Sequence, residues 1–213
     1  MARLLQILFF LFIIKPLTLI VLGLNIINRE NLPLNGPAIL AANHNSHLDT
    51  MVLMSLFGLS QLSAVKPVAA ADYFLKNRFL SWFSTSIIGI IPIQRKNRDK
   101  NVDPLQGCSN ALQKGEIILL FPEGSRGEPE ILSEFKKGIS ILAERHPDVP
   151  IYPIYMHGLG KCLPRGNFLL VPFFCDIFVG SAMFFKTSRD NFMLHYERNM
   201  KKMCSALKIP KWM

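Results

Sequence analysis

The stretch NHNSHLD, residues 43 to 49, packs two histidines and an aspartate into seven positions. His44 and Asp49 are five residues apart, which does not align two side chains on one face of a continuous helix. The spacing works if the chain turns between them and Asp49 reaches back to one imidazole nitrogen. A carboxylate held there fixes the tautomer and leaves the other nitrogen as a base. The stretch carries no G-x-S-x-G or S-x-x-K nucleophile, so the pair suits direct activation of a substrate hydroxyl. Two plainer readings stand beside this one. The residues can form a polar turn that caps a helix, or His44 and His47 can be two metal ligands, although H-x-x-H has no further obvious ligands here.

A second stretch, FPEGSRG (121–127), follows the apolar run EIILLF. Gly124 and Gly127 allow a tight exit from a sheet and expose backbone N–H groups. Glu123 and Arg126 flank Ser125 in that loop, and an arginine binds phosphate through two parallel hydrogen bonds. A third stretch, GIIPIQRK (89–96), ends in Arg95 and Lys96, with Arg98 and Lys100 beyond. Solvated loops are the plain alternative for both.

The elements that must hold these residues are legible as an alternation. AILAAN (38–43), KPVAAA (66–71), GIIPI (89–93), EIILLF (116–121) and PIYPIY (150–155) read as strands. The continuous apolar runs suit a sheet covered on both faces. Between them, 46–57, 72–87, 103–115 and 135–146 read as helices, and 191–209 as a last amphipathic one. Ser46 or Asn45 is the expected cap of the first, and Asp103, Pro104 and Gly115 bound the third. The repetition predicts an α/β domain with a mostly parallel central sheet flanked by helices. His44, Glu123 and Arg95 then all follow carboxyl ends of strands, where open α/β sheets gather their ligands.

At 213 residues the chain suits one such domain, residues 29–213, after an apolar segment, residues 1–28. LLQILFFLFIIKPLTLIVLGL (4–24) is long enough to reach across a bilayer core. No A-x-A cleavage site follows it. Lys15 and Pro16 interrupt it, which favours two short helices, about 4–14 and 17–26, lying in one leaflet as a membrane anchor. The net charge of +9 points to anionic lipid or phosphorylated ligands, and no nucleic-acid motif is present. The four cysteines show no zinc-like spacing and read as reduced thiols.

Together the motifs resemble the glycerolipid acyltransferases of the 1-acylglycerol-3-phosphate acyltransferase type. Asn43, His44 and Asp49 match N-H-x-x-x-x-D, Phe121 to Arg126 match F-P-E-G-[ST]-R, and VPIYPI (149–154) matches the V-P-I-x-P-V strand. G-x-I-F-I-[DR]-R is matched in part, by Gly89, Ile91, Ile93 and Arg95, while Pro92 and Gln94 depart from it. RENLP (29–33) and FKKG (135–138) also fit. The resemblance implies that His44 is the general base and Asp49 orients it. It implies that Arg95, Glu123, Gly124, Ser125 and Arg126 bind the acceptor, the arginines through its phosphate. Backbone N–H groups near Gly124 are the expected oxyanion donors. The donor would be an acyl thioester of acyl carrier protein or coenzyme A, with no cofactor or metal. The acceptor would be a lysophospholipid, 1-acylglycerol-3-phosphate first, at the cytoplasmic face of the cell membrane. Another lysolipid acceptor, or a non-catalytic basic membrane-binding protein, are the alternatives.

Overall fold

The computed structural model describes residues 1–74, 76–94, 103–162 and 171–207. Seven strands form one sheet in the order β1-β7-β6-β2-β5-β3-β4. They are β1 Leu22–Ile27, β2 Ala38–Ala42, β3 Val65–Ala70, β4 Ile91–Ile93, β5 Ile117–Leu120, β6 Ile151–His157 and β7 Phe173–Val179. Every pairing is parallel except β6 with β7. The sheet is therefore mostly parallel, as the alternation of elements predicts.

Alternation along β2 puts its residues into two cores. Ala38, Leu40 and Ala42 join Leu119, Ile154 and Met156 on one face. Ile39 and Ala41 join Ile118, Ile151 and Tyr155 on the other. Helices α5 (Gln106–Gln113), α6 (Gly138–Arg145) and α8 (Arg189–Ala206) cover that second face. Tyr196 of α8 is wholly buried and donates its hydroxyl to the carbonyl of Ala41, 3.2 Å away. With both faces apolar, β2 sits rigidly at the centre, and its carboxyl end is flanked by those of β5 and β6.

The N-terminal segment departs from the two-helix expectation. It is one helix, α1, Ala2–Val21. The turns at Phe10–Ile14 and Leu17–Val21 widen to π geometry on either side of Pro16. A wider turn takes the proline ring away from the preceding carbonyls, so the chain passes Lys15-Pro16 without ending the helix. Thr18 Oγ1 then satisfies the carbonyl of Lys15 at 3.0 Å. Gln6, Phe10, Ile14 and Thr18, spaced by four, form a buried stripe against the domain. Leu4, Phe12, Leu19 and Ile20 face outward. Residues 22–26, placed in the second anchor helix by sequence, belong instead to the sheet-edge strand β1, paired with β7.

Other boundaries shift as well. The helix expected over 46–57 is α2, Asp49–Ser55; its N-cap position is Leu48, whose N–H bonds the Ser46 hydroxyl at 3.2 Å. The helix expected over 72–87 is divided into α3 (Ala71–Phe74) and α4 (Arg78–Trp82), the latter continuing as a π turn to Ile88. Asn77 causes a restart by accepting the N–H of Leu80 at 2.7 Å. Strand β7 and the short helix α7 (Leu159–Cys162) have no counterpart in the sequence reading.

Candidate active site

His44 lies two residues beyond β2. The preceding Asn43 leaves the sheet without wasting its edge. Its side-chain amide donates to the carbonyl of Met156 at 2.9 Å and accepts the N–H of Met156 at 2.7 Å. An amide side chain thus continues the β2–β6 ladder and fixes where the chain departs.

The chain then turns back on itself. Asp49 Oδ2 stands 2.8 Å from His44 Nδ1 and accepts the N–H groups of Asn45 and Ser46 at 2.7 and 2.9 Å. One carboxylate oxygen therefore makes both the polar turn and the histidine contact, so two of the readings of this stretch coexist. The Asp49 side chain is wholly buried, and that of His44 is 20% exposed. With Nδ1 directed at Asp49 Oδ2, Nε2 is the ring nitrogen left free to take a proton. The ring lies on Phe121, centroids 4.1 Å apart and planes at 19°, which sets its tilt.

The FPEGSRG loop leaves β5 beside it. Glu123 is 3% exposed and its Oε1 accepts the N–H of His44 at 3.1 Å. Burial pushes its carboxyl above the usual range, and hydrogen bonds from His44 and Ser133 pull the other way. The resemblance makes Glu123 an acceptor contact. In the structure its carboxylate accepts the N–H of His44 and so holds the histidine backbone. Gly124 turns the loop at φ 72°, a left-handed conformation that suits glycine, and its N–H bonds the carbonyl of Phe121 at 3.0 Å. That N–H is engaged in the turn. Gly127 N–H donates to the His44 carbonyl at 2.9 Å. Ser125 is exposed at the tip, and Arg126 is half-buried.

Arg126 Nη1 meets His47 Nε2. Burial, then the charges of Arg126 and His44, lower the His47 pKa below 6.5, against the pull of Asp49. The sequence offers His47 as an alternative metal ligand with His44; the structure makes it the neighbour of the loop's guanidinium. Arg95 lies outside the described residues. Among those residues no group of three or more His, Cys, Asp or Glu could hold a metal ion. The four cysteines are free.

Fold and site define an α/β protein whose histidine–carboxylate pair crowns the central strand of a mostly parallel sheet, next to a glycine–arginine loop. An acyltransferase family model matches residues 23–157. This stretch is more than half of the chain, and the chain belongs to that acyltransferase family. It is 34% identical over 145 residues to the chloroplastic 1-acyl-sn-glycerol-3-phosphate acyltransferase of Arabidopsis thaliana, covering 68% of this chain and 38% of that protein. It is 28% identical over 157 residues to the 1-acyl-sn-glycerol-3-phosphate acyltransferase of Pseudomonas aeruginosa, covering 72% of this chain and 56% of that one. The chain thus spans between 38% and 56% of the length of these two relatives. The crystal structure of a 1-acyl-sn-glycerophosphate acyltransferase from Thermotoga maritima shares the fold, with a TM-score of 0.75, 97% of this chain and 80% of that chain covered, at 19% identity.

Proposed function

We propose that the protein is a membrane-bound acyltransferase that moves a fatty acyl group from a thioester donor to the free hydroxyl of 1-acylglycerol-3-phosphate, giving phosphatidic acid. The observation that carries this reading is the His44–Asp49 contact at 2.8 Å, set at the carboxyl end of β2 beside the FPEGSRG loop. The names of the Arabidopsis and Pseudomonas relatives support the choice of acceptor.

In this mechanism His44 Nε2 takes the proton of the acceptor hydroxyl as that oxygen bonds to the thioester carbonyl carbon. Asp49 stabilises the imidazolium that results. The tetrahedral adduct collapses, the carbon–sulfur bond breaks, and the leaving thiolate receives the proton from His44. No acyl-enzyme, metal or cofactor takes part. Arg126, with Arg95, binds the acceptor phosphate, and Gly124 and Ser125 shape the loop that carries Arg126. The donor is acyl carrier protein or coenzyme A carrying the acyl chain. Such donors are cytosolic, which puts the catalytic domain on the cytoplasmic face of the cell membrane. The apolar outward face of α1 supplies the attachment, with its opposite stripe still packed on the domain.

The deciding experiment is acyl transfer by the purified protein. It is offered a panel of lysolipids with both donors, and products are read by mass spectrometry. Phosphatidic acid from 1-acylglycerol-3-phosphate, lost in His44→Ala, is the expected result. Turnover confined to a different lysolipid would change the acceptor, and no acylated product from any of them would overturn the reading.

A further inference from the structure

The stretch EPEILSE (128–134) takes no part in the chemistry above, yet it brings a second carboxylate–imidazole pair to the same edge of the sheet. Glu130 Oε2 meets Nδ1 of His157, the last residue of β6, with side-chain exposures of 15% and 8%. Glu130 Oε1 accepts the N–H of Gly158 at 3.0 Å. Gly158 itself turns at φ 90°, where a Cβ would stand 2.3 Å from the carbonyl oxygen of Phe174. The direction of its N–H is therefore set by packing. Glu130 has φ 65°, a left-handed conformation that a non-glycine residue keeps only when its surroundings enforce it.

Contacts lead from this pair to His44. With the Asn45 amide oriented so that both its ends are satisfied, its oxygen accepts the N–H of Glu130 at 2.8 Å. Its nitrogen donates to the carbonyl of His44 at 3.1 Å. On the other side, Asn43 is bonded twice to Met156. The end of β6 thus grips the turn both before and after His44, directly at Asn43 and through Glu130 at Asn45. A buried carboxylate–imidazole contact adds little net stability once desolvation is counted, but it restricts the geometry of the groups that make it. A base must be held to within a fraction of an ångström of its working position.

We infer that Glu130 and His157 are a positioning pair for His44, acting through Asn45. This inference rests on the acyltransferase reading. Neither residue touches the reacting atoms; together they set where the His44 backbone sits and hence where Nε2 points. The pair is distinct from His44–Asp49, which sets the tautomer.

The test is a mutant cycle on the full-length protein. Glu130→Gln keeps an acceptor for Gly158 N–H and removes the charge; Glu130→Ala and His157→Ala remove the pair; Asn45→Ala cuts the connection. Each should lower kcat by about ten- to a hundredfold with KM for both substrates little changed. Glu130→Gln should recover part of the loss seen in Glu130→Ala. Asn45→Ala combined with Glu130→Ala should be no worse than the more damaging single change, because both break one chain of contacts. Wild-type kcat in the folded single variants, or effects that multiply in the double variant, would overturn the inference. Where an alanine variant fails to fold, Glu130→Gln decides it. A second readout needs no substrate: the His44 Nδ1–H resonance on Asp49 should shift in Glu130→Gln and Asn45→Ala. If it stays in place the inference fails. A wild-type protein with no activity would strike at the acyltransferase reading instead, with the resonance still reporting on the pair.

Discussion

At the scale of single residues, His44 is held by Asp49 on its ring, Phe121 on its face, Glu123 on its N–H, and both Gly127 and Asn45 on its carbonyl. Removing the ring itself, in His44→Ala, should reduce kcat by about a hundred- to ten-thousandfold, since the imidazole is the group that takes the acceptor's proton. Near-normal turnover in that variant would end the general-base mechanism. His47 belongs to this scale too. Burial first, and Arg126 second, hold its pKa below 6.5. The folded protein therefore binds fewer protons there than the unfolded chain as pH falls, and the associated stability is lost below that range. Arg126→Ala should move the His47 titration midpoint upward, though not fully back, as burial remains. Proton NMR of the imidazole reads this, and an unmoved midpoint would show that the two side chains do not meet in solution. His47→Ala should also raise the acceptor KM by loosening Arg126, which makes it a poor inert control.

At the scale of elements, the catalytic turn is held by side chains that imitate main chain. Asn43 extends the β2–β6 ladder with its amide, and Asp49 closes the turn by accepting two N–H groups. Asn43→Ala should leave the N–H and carbonyl of Met156 buried and unpaired, at a cost of about 1–3 kcal/mol for each such group. Urea denaturation measures this, and kcat should fall in the same variant. A variant as stable as the wild type would mean that water or a shifted backbone replaces the amide. The same logic explains Glu123, whose motif position announced importance but whose side chain faces the backbone of His44. Buried carboxylates that accept N–H groups organise loops, and the sequence alone does not reveal which way such a group turns.

At the scale of the whole molecule, α1 is both an apolar exterior and part of the core. Phe10 is fully buried, so Phe10→Ala should destabilise the domain by about 3–5 kcal/mol. Truncation must respect the strand that follows. Removing residues 1–21 takes away the outward apolar face and spares β1; removing residues 1–27 also strips the edge strand from β7. The first truncation should lose flotation with lipid vesicles and lower the urea midpoint, because Phe10 and Ile14 leave the core, while the second should lower that midpoint further. Equal urea midpoints would show that β1 adds nothing to the sheet. Retained flotation without residues 1–21 would place the lipid contact elsewhere on the domain.

By itself the sequence determined the chemistry that stands at strand ends. Continuous apolar runs marked β2, β3, β5 and β6, because strands buried on both faces need no alternation. The five-residue spacing from His44 to Asp49 required a turn, and a turn is what brings the two together. Only the tertiary structure decided the rest. LGLNII is as apolar as the helix before it, and it becomes a strand because β7, far along the chain, offers it a partner. Short apolar runs carry no signal that separates these outcomes. Pro16 stays inside a helix because π turns on both sides accommodate it. The placement of Glu130 and His157 beside the catalytic turn likewise rests on contacts between β6 and a loop, since neither residue lies in a recognisable spacing. Local pattern specifies which residues can do chemistry; packing between distant segments specifies which of them face it.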